Sequence, residues 1–288
     1  MRKSAALLIP VLLLSASWSR ADITQWMVDL SSNNAGIAVE RGLQLGGRDG
    51  GFPVEMIIHR ATLGKFDPPL HKGDALFSRR AAEAHNHGIH FGAYHVAYPT
   101  ADVDVQVSGF LKRVKDSCNP GQRVVLALDW EHVCVRWQDK SKALCAQEGI
   151  VPPSDAVQFL EEVEKRTGVA PILYTSVRAL KTFDKVLQKD PDLHGRLQKY
   201  PLWLARYHGK GGVFYFPTES EHFPWPQWTF WQFAEGKGSG PTKRVALSIQ
   251  NQPVDTNFYN GPRSEAARIV DQHGWRCSEA AKNAGAAG

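Results

Sequence analysis

Several features that would steer this 288-residue chain toward other functions are scarce or missing. It has four cysteines, none in a C-x₂-C pair and none with paired histidines downstream, so the spacings fit no zinc site. No Lys/Arg cluster is interleaved with aromatics, which leaves no footprint for nucleic acid. Beyond residue 21 no apolar run approaches the ~20 residues a spanning helix needs, so an integral membrane protein is not expected. There is no internal repeat, no low-complexity tract and no linker long enough to separate domains, so one domain is expected. The Gly-rich run 236–240 has no helical pattern after it and reads as a loop, not a phosphate cradle. His85, His87 and His90 read as a helix end running into a strand. No metal and no cofactor is expected.

What is present is an ordinary globular composition, 43% hydrophobic and 22% charged, with room for a sizeable core. Nine Trp and seven Tyr either fill that core or line a sugar or peptide groove, and composition does not choose between them. Met1-Arg2-Lys3, an apolar segment over 5–14 and small residues at Ser19 and Ala21 read as a secretory signal peptide over residues 1–21. An exported chain, periplasmic or extracellular and monomeric, is expected. Losing Arg2, Lys3 and Arg20 lowers the formal charge from +5 to +2, so most of the basicity belongs to the targeting segment. In an exported chain Cys118, Cys134, Cys145 and Cys277 suggest two disulfides, with three pairings open.

Apolar, β-rich segments recur at 26–30, 54–59, 89–97, 124–128, 170–174, 202–207, 228–233 and within 245–258. Helical patterns at 74–87, 154–167 and 177–187 lie between several of them. Alternation of this kind predicts a parallel sheet, and eight strand-like segments favour an irregular TIM-like (β/α) barrel over an open sheet. Residues 22–288 would form that barrel, with a helical tail from about 262. The aromatic loop 213–227 then supplies Phe214, Tyr215, Phe216 and Trp225 either as groove walls or as a satellite apolar cluster.

The stretch 123–131, Arg-Val-Val-Leu-Ala-Leu-Asp-Trp-Glu, is continuously apolar until it ends in two carboxylates. Such a run reads as a strand buried on both faces. Side chains alternate, so Asp129 and Glu131 point the same way, their Cα atoms about 6.6 Å apart. The bland reading is a solvated Asp at a strand end and a Glu capping the next loop. Asp29 and Asp255 also sit at strand ends, and in a barrel the strand C-termini would bring all four into one acidic cleft. Crowded carboxyl groups hold different pKa values, the division of labour that glycosidic cleavage uses. No Ser-His-Asp or Cys-His arrangement is apparent, and His95 reads as a cleft or barrel-interior histidine.

Eight pieces, in order, resemble family 25 of the glycoside hydrolases, the Chalaropsis-type lysozymes that cleave peptidoglycan as N-acetylmuramidases. They are 28–31 (VDLS), 58–64 (IHRATLG), 92–97 (GAYHVA), 128–131 (LDWE), 171–176 (PILYTS), 201–207 (PLWLARY), 228–233 (WTFWQF) and 254–257 (VDTN). Each is weak alone; together they cover about residues 26–261. The resemblance implies a barrel with its acidic cleft at the C-terminal strand ends and peptidoglycan glycan strands as the partner. It makes Glu131 the general acid and Asp129 the carboxylate that assists the substrate acetamido group, flanked by Asp29 and Asp255. Tyr94, Tyr174, Trp203, Arg60 and Trp231 become substrate-binding residues. Leu63 stands where the family commonly has an acidic residue, and Met27-Val28 where it has Gly and Ile or Phe.

On that barrel Cys134 and Cys145 both follow the fourth strand, while Cys118 and Cys277 approach the opposite face, so Cys134–Cys145 and Cys118–Cys277 are the expected bridges. A chitinase-like barrel is disfavoured, because its Asp-x-x-Asp-x-Asp-x-Glu pattern meets Val124 and Ala127 here. A non-catalytic glycan-binding protein is the other alternative, and the four filled acidic positions speak against it.

Overall fold

Eight segments rich in β-branched and aromatic residues form the strands of one ring. They are β1 (Ile23–Leu30), β2 (Met56–Leu63), β3 (His90–Val96), β4 (Arg123–Trp130), β5 (Ile172–Ser176), β6 (Leu202–Ala205), β7 (Phe230–Ala234) and β8 (Asp255–Asn260). The structure is a computed structural model that describes residues 23–39, 43–45, 52–64, 73–139, 144–207, 209–210, 213–235 and 248–277. The expected signal peptide and the run 236–240 lie outside the described residues. Chain neighbours are ring neighbours throughout, and the β4–β5 ladder joins the two ends of the series into a closed barrel. No helix among the described residues is long and apolar enough to cross a membrane.

Pairing is parallel from β1 to β7. It turns antiparallel on both sides of β8. The last strand therefore runs backwards, and its N-terminal end, not its C-terminal end, meets the C-terminal ends of the others. This corrects the expectation that strand C-termini alone supply the cleft. Asp255 reaches the same face as Asp29 because the two residues are register partners across β1 and β8.

Strand alternation sorts the apolar side chains into two cores. Met27, Met56, Ile58, Val125, Ala127, Ile172, Trp203 and Phe230 fill the barrel, whose floor is closed by Ala266, Ile269 and Val270. These come from the short helices Arg263–Ala266 and Arg268–His273. The opposite faces of the strands, with Val28, Ile57, Phe91, Leu126, Leu128 and Leu204, pack on the surrounding helices. The interior is narrow: a Cβ on Gly92 would sit 2.8 Å from Ile58 Cγ1 and 3.1 Å from the Val125 carbonyl oxygen.

Helices α1 (Phe77–Asn86), α2 (Val103–Ser117), α3 (Pro153–Thr167) and α4 (Val177–Lys189) cover the outside. Asp102 and Ser176 cap α2 and α4 through side-chain acceptors, and Gly168 ends α3 in the left-handed conformation at φ 74°. Between β6 and β7 the described residues hold only short extended pieces and one 3-10 turn, Glu219–Glu221. In that loop Trp225 is buried and donates to the Tyr200 carbonyl at 2.9 Å, and Phe216 packs on Trp231 at 5.4 Å. Both join the main core outside the barrel, so they are neither groove walls nor a satellite cluster; Tyr215 is exposed, and the Phe214 side chain lies outside what the structure describes.

Two disulfides join Cys118 to Cys277 and Cys134 to Cys145. The first fastens the end of α2 to the strand Gly274–Arg276, which pairs with the start of β4. The second closes a hairpin, Val133–Trp137 with Cys145–Gly149, that rises directly from the end of β4.

Candidate active site

In β4 the alternation that buries Val125 and Ala127 inside the barrel carries Asp129 to the top of the interior. Glu131 follows two residues later, past the strand end. Asp29, two past inward-facing Met27, and Asp255, two before Asn257, reach the same level from β1 and β8. Together with Tyr94, Tyr174, Trp203 and Gln232 these four carboxyl groups line one pit of about 110 Å³.

The pit has few donors for so many acids. Asp29 Oδ2 accepts from Gln232 Nε2 and from Asn257 Nδ2, each at 2.9 Å, and its carboxyl group is also hydrogen-bonded to that of Asp255. Burial pushes Asp29 above the usual carboxylate range, and those three contacts pull it back. Asp129 has no such support: its Oδ1 is buried without a hydrogen-bond partner. Desolvation, then the Glu131 and Asp29 charges, raise Asp129 well above its usual value, and Arg60 opposes them. Desolvation and the Asp255 charge raise Glu131 to about 7, with Arg178 pulling downward. An acid with that value holds its proton at neutral pH and can also release it.

Arg60 faces the pit side of β2 but spends its donors on Asp74 (2.9 and 3.1 Å) and on Ser32 Oγ at 2.9 Å. Its charge still acts on Asp129 and Tyr94. Beyond Glu131 the pit opens into a groove of about 410 Å³ walled by His132, Arg178, Arg206, Tyr207 and Glu221. One wall is braced by Arg178, whose Nη2 meets Glu148 Oε2 of the disulfide-closed hairpin at 2.5 Å. The other carries Arg206, whose Nε lies 2.8 Å from Glu221 Oε1.

The structure thus brings together Glu131, Asp129, Asp29, Asp255, Tyr94, Tyr174 and Trp203, with Arg60 acting at longer range. It does not bring Trp231 there. Trp231 alternates with inward-facing Phe230 and Gln232, so it is fully buried on the outside of the barrel and donates to the Arg206 carbonyl at 2.9 Å. His95 is outside as well, stacked on Phe159 at 5.1 Å, because the neighbouring Tyr94 takes the inward position. Sequence reasoning overlooked Gln232, Asn257 and Tyr207. Alternation would have found the first two, since Gln232 follows Phe230 and Asn257 follows Asp255 at the same spacing of two. Among the described residues no group of three His, Cys, Asp or Glu is arranged to hold a metal ion.

The sequence profile described as "Glycosyl hydrolases family 25" matches residues 28–240. The Escherichia coli protein YegX, described as uncharacterized, is 28% identical over 224 residues, 78% of this chain and 66% of that one. The chain therefore spans just under two thirds of that relative. Among solved structures, the bacterial lysozyme from Streptomyces coelicolor aligns with a TM-score of 0.55 at 23% identity, over 86% of this chain and 96% of that one. The Clostridium perfringens spore cortex lytic enzyme SleM aligns with a TM-score of 0.56 at 24% identity, over 84% and 67%. At such identities the likeness shows a shared fold.

Proposed function

The chain belongs to family 25 of the glycosyl hydrolases, and on that premise we propose that it is a lysozyme hydrolysing peptidoglycan between N-acetylmuramic acid and N-acetylglucosamine. The observation that carries the reading is the pairing of Glu131, raised to about 7, with the unpartnered buried acceptor Asp129 Oδ1 in one pit.

Glu131 protonates the glycosidic oxygen as the bond to the anomeric carbon breaks. Asp129 Oδ1 accepts the N–H of the substrate acetamido group, whose carbonyl oxygen closes on the anomeric carbon to give an oxazolinium ion. The arriving N–H, with Arg60 behind it, favours the ionised form of Asp129 that burial opposes. Glu131, now a carboxylate, takes a proton from the water that opens the oxazolinium ring, and both groups return to their starting state. Tyr94, Tyr174 and Trp203 form the pit wall against which the sugar ring rests. Residues 1–21 export the chain to the periplasm or beyond, where residues 22–288 act as a monomer. Two disulfides among the described residues suit such an oxidising compartment.

Mass spectrometry of digested peptidoglycan is the test. New reducing N-acetylmuramic ends, absent with Glu131→Gln at an unchanged melting temperature, are expected. Reducing N-acetylglucosamine ends would sink the reading. Binding to cell walls without any new reducing end, at any pH, would favour a glycan-binding protein.

A further inference from the structure

Gln232 and Asn257 can each present either an oxygen or an NH₂ group to Asp29, and in both the orientation is fixed from behind. Gln232 Oε1 accepts the hydroxyl of Tyr174 at 2.9 Å and also that of Tyr207. Asn257 Oδ1 accepts the indole N–H of Trp203 at 2.7 Å. With both amide oxygens occupied by aromatic donors, both NH₂ groups face Asp29 Oδ2, at 2.9 Å each. One carboxylate oxygen thus receives two N–H groups that have no freedom to turn. Asp255, the register partner of Asp29 across β1 and β8, lies against the same carboxyl group and helps to lower it.

We infer that Gln232 and Asn257, oriented by Tyr174, Tyr207 and Trp203, are positioning residues that hold Asp29 as an anion of the pit, ionised ahead of Asp129. The titratable groups that face Asp29 are Tyr94 from β3, Asp129 from β4 with Glu131 beyond it, Tyr174 from β5, Tyr207 beyond β6 and Asp255 from β8. The cation Arg60 on β2 acts on Tyr94 and Asp129, and its guanidinium is engaged by Asp74. The two amides therefore supply the directed donors that decide which carboxyl ionises first. A negative charge fixed on Asp29 raises Asp129 beside it, so the two amides act on the catalytic pair through Asp29.

Gln232→Glu is the diagnostic variant. It keeps the shape and the acceptor for both tyrosines but turns an N–H into an oxygen facing Asp29. Asn257→Asp makes the same exchange from the other side and keeps the acceptor for Trp203. Carboxyl ¹³C NMR of aspartate-labelled protein, with Asp29 assigned through Asp29→Asn, reads ionisation directly and needs no substrate. Asp29 is expected to ionise at lower pH than Asp129 in the native chain, and each amide-to-acid exchange should raise it by about one pH unit or more. Kinetically, which rests on the glycosidase reading, Gln232→Glu should stay active in acid and lose kcat as pH rises, with KM changed less than about twofold. Equal loss of kcat at every pH would reduce the two amides to packing. An Asp29 that ionises after Asp129 in the native chain would overturn the inference whether or not the enzyme cleaves peptidoglycan.

Discussion

Two buried polar clusters lie on opposite faces of the same strands, and they treat their polar atoms in opposite ways. On the outer face, His95 Nδ1 meets Thr62 Oγ1 at 2.7 Å and His95 Nε2 meets Gln106 Oε1 at 2.9 Å. The Gln106 NH₂ group donates to the carbonyls of Tyr98 and Ala101, and its oxygen also accepts the Tyr98 N–H. Every arm of this cluster is used. On the inner face the pit leaves Asp129 Oδ1 with nothing and crowds four carboxyl groups around three amide and indole groups. A satisfied buried network stabilises a fold; an unsatisfied one costs stability and keeps its bonding capacity for a ligand. The sequence holds both kinds of residue in one dipeptide, Tyr94-His95, and alternation alone separates them.

The comparison breaks most visibly if the pit is not the costly side. Glu131→Gln should lower cell-wall lysis by about 10²–10⁴-fold. In the same variant, stability at pH 7.5 should rise, by on the order of 2 kcal/mol, because a carboxyl forced to ionise in a desolvated site is gone. Urea unfolding of the inactive variant checks this; a less stable variant contradicts the assignment. Asp129→Asn should follow with about 10²-fold loss of kcat and retained folding, since the amide no longer offers a charged acceptor to the acetamido N–H.

The outer cluster should show the reverse pattern. His95→Leu strands Gln106 and Thr62 and is expected to cost about 2–3 kcal/mol in chemical unfolding while kcat per folded molecule stays within about twofold. A large kcat loss at unchanged stability would instead give His95 a role in the chemistry.

The two clusters also oppose each other in pH. Burial lowers His95 of the outer cluster to about 4, so the unfolded chain binds more protons and its stabilisation is lost as pH falls from about 6.5 toward 4. Glu131 is raised to about 7, so the folded chain binds more protons and stability declines as pH rises from about 4.3 toward 7. Stability of the native chain should therefore vary little across that window. In Glu131→Gln the histidine limb stands with less opposition, and stability should climb with pH up to about 6.5. Flat curves for both proteins would contradict this linkage.

The smallest effect concerns the hairpin brace. Arg178 and Glu148 are mostly exposed, so Arg178→Gln should change stability by less than about 0.5 kcal/mol. Arg178 favours ionised Glu131, so its loss should move the alkaline limb of the kcat profile upward by a fraction of a pH unit. A downward shift would show that Arg178 acts through the hairpin rather than through its charge.

Much of this was legible from residues 123–131 outward. The apolar run predicts β4, period-two alternation puts Asp129 and Glu131 on one side, and the helices at 153–167 and 177–189 fall close to their predicted limits. The direction of β8 was not legible, because a short strand reads the same forwards and backwards and only pairing to β1 and β7 sets its sense. Trp231 was assigned to the site through the family resemblance, which does not say which face of β7 it takes, whereas the inward Gln232 fixes its neighbour outward. The role of Gln232 and Asn257 depends on which way an amide is turned, and that is set by Tyr174, Tyr207 and Trp203 from other strands.

The reversed β8 also decides where the chain comes and goes. Ile23, at the start of β1, is opposite Asn260, at the end of β8, and Cys277 follows a strand paired to the start of β4. Both ends of the described chain therefore emerge at the floor of the barrel, on the side away from the pit. A tag, a second module or a solid support attached at either end leaves the mouth facing outward, so an immobilised form of this protein presents its cleft to an insoluble surface without a spacer.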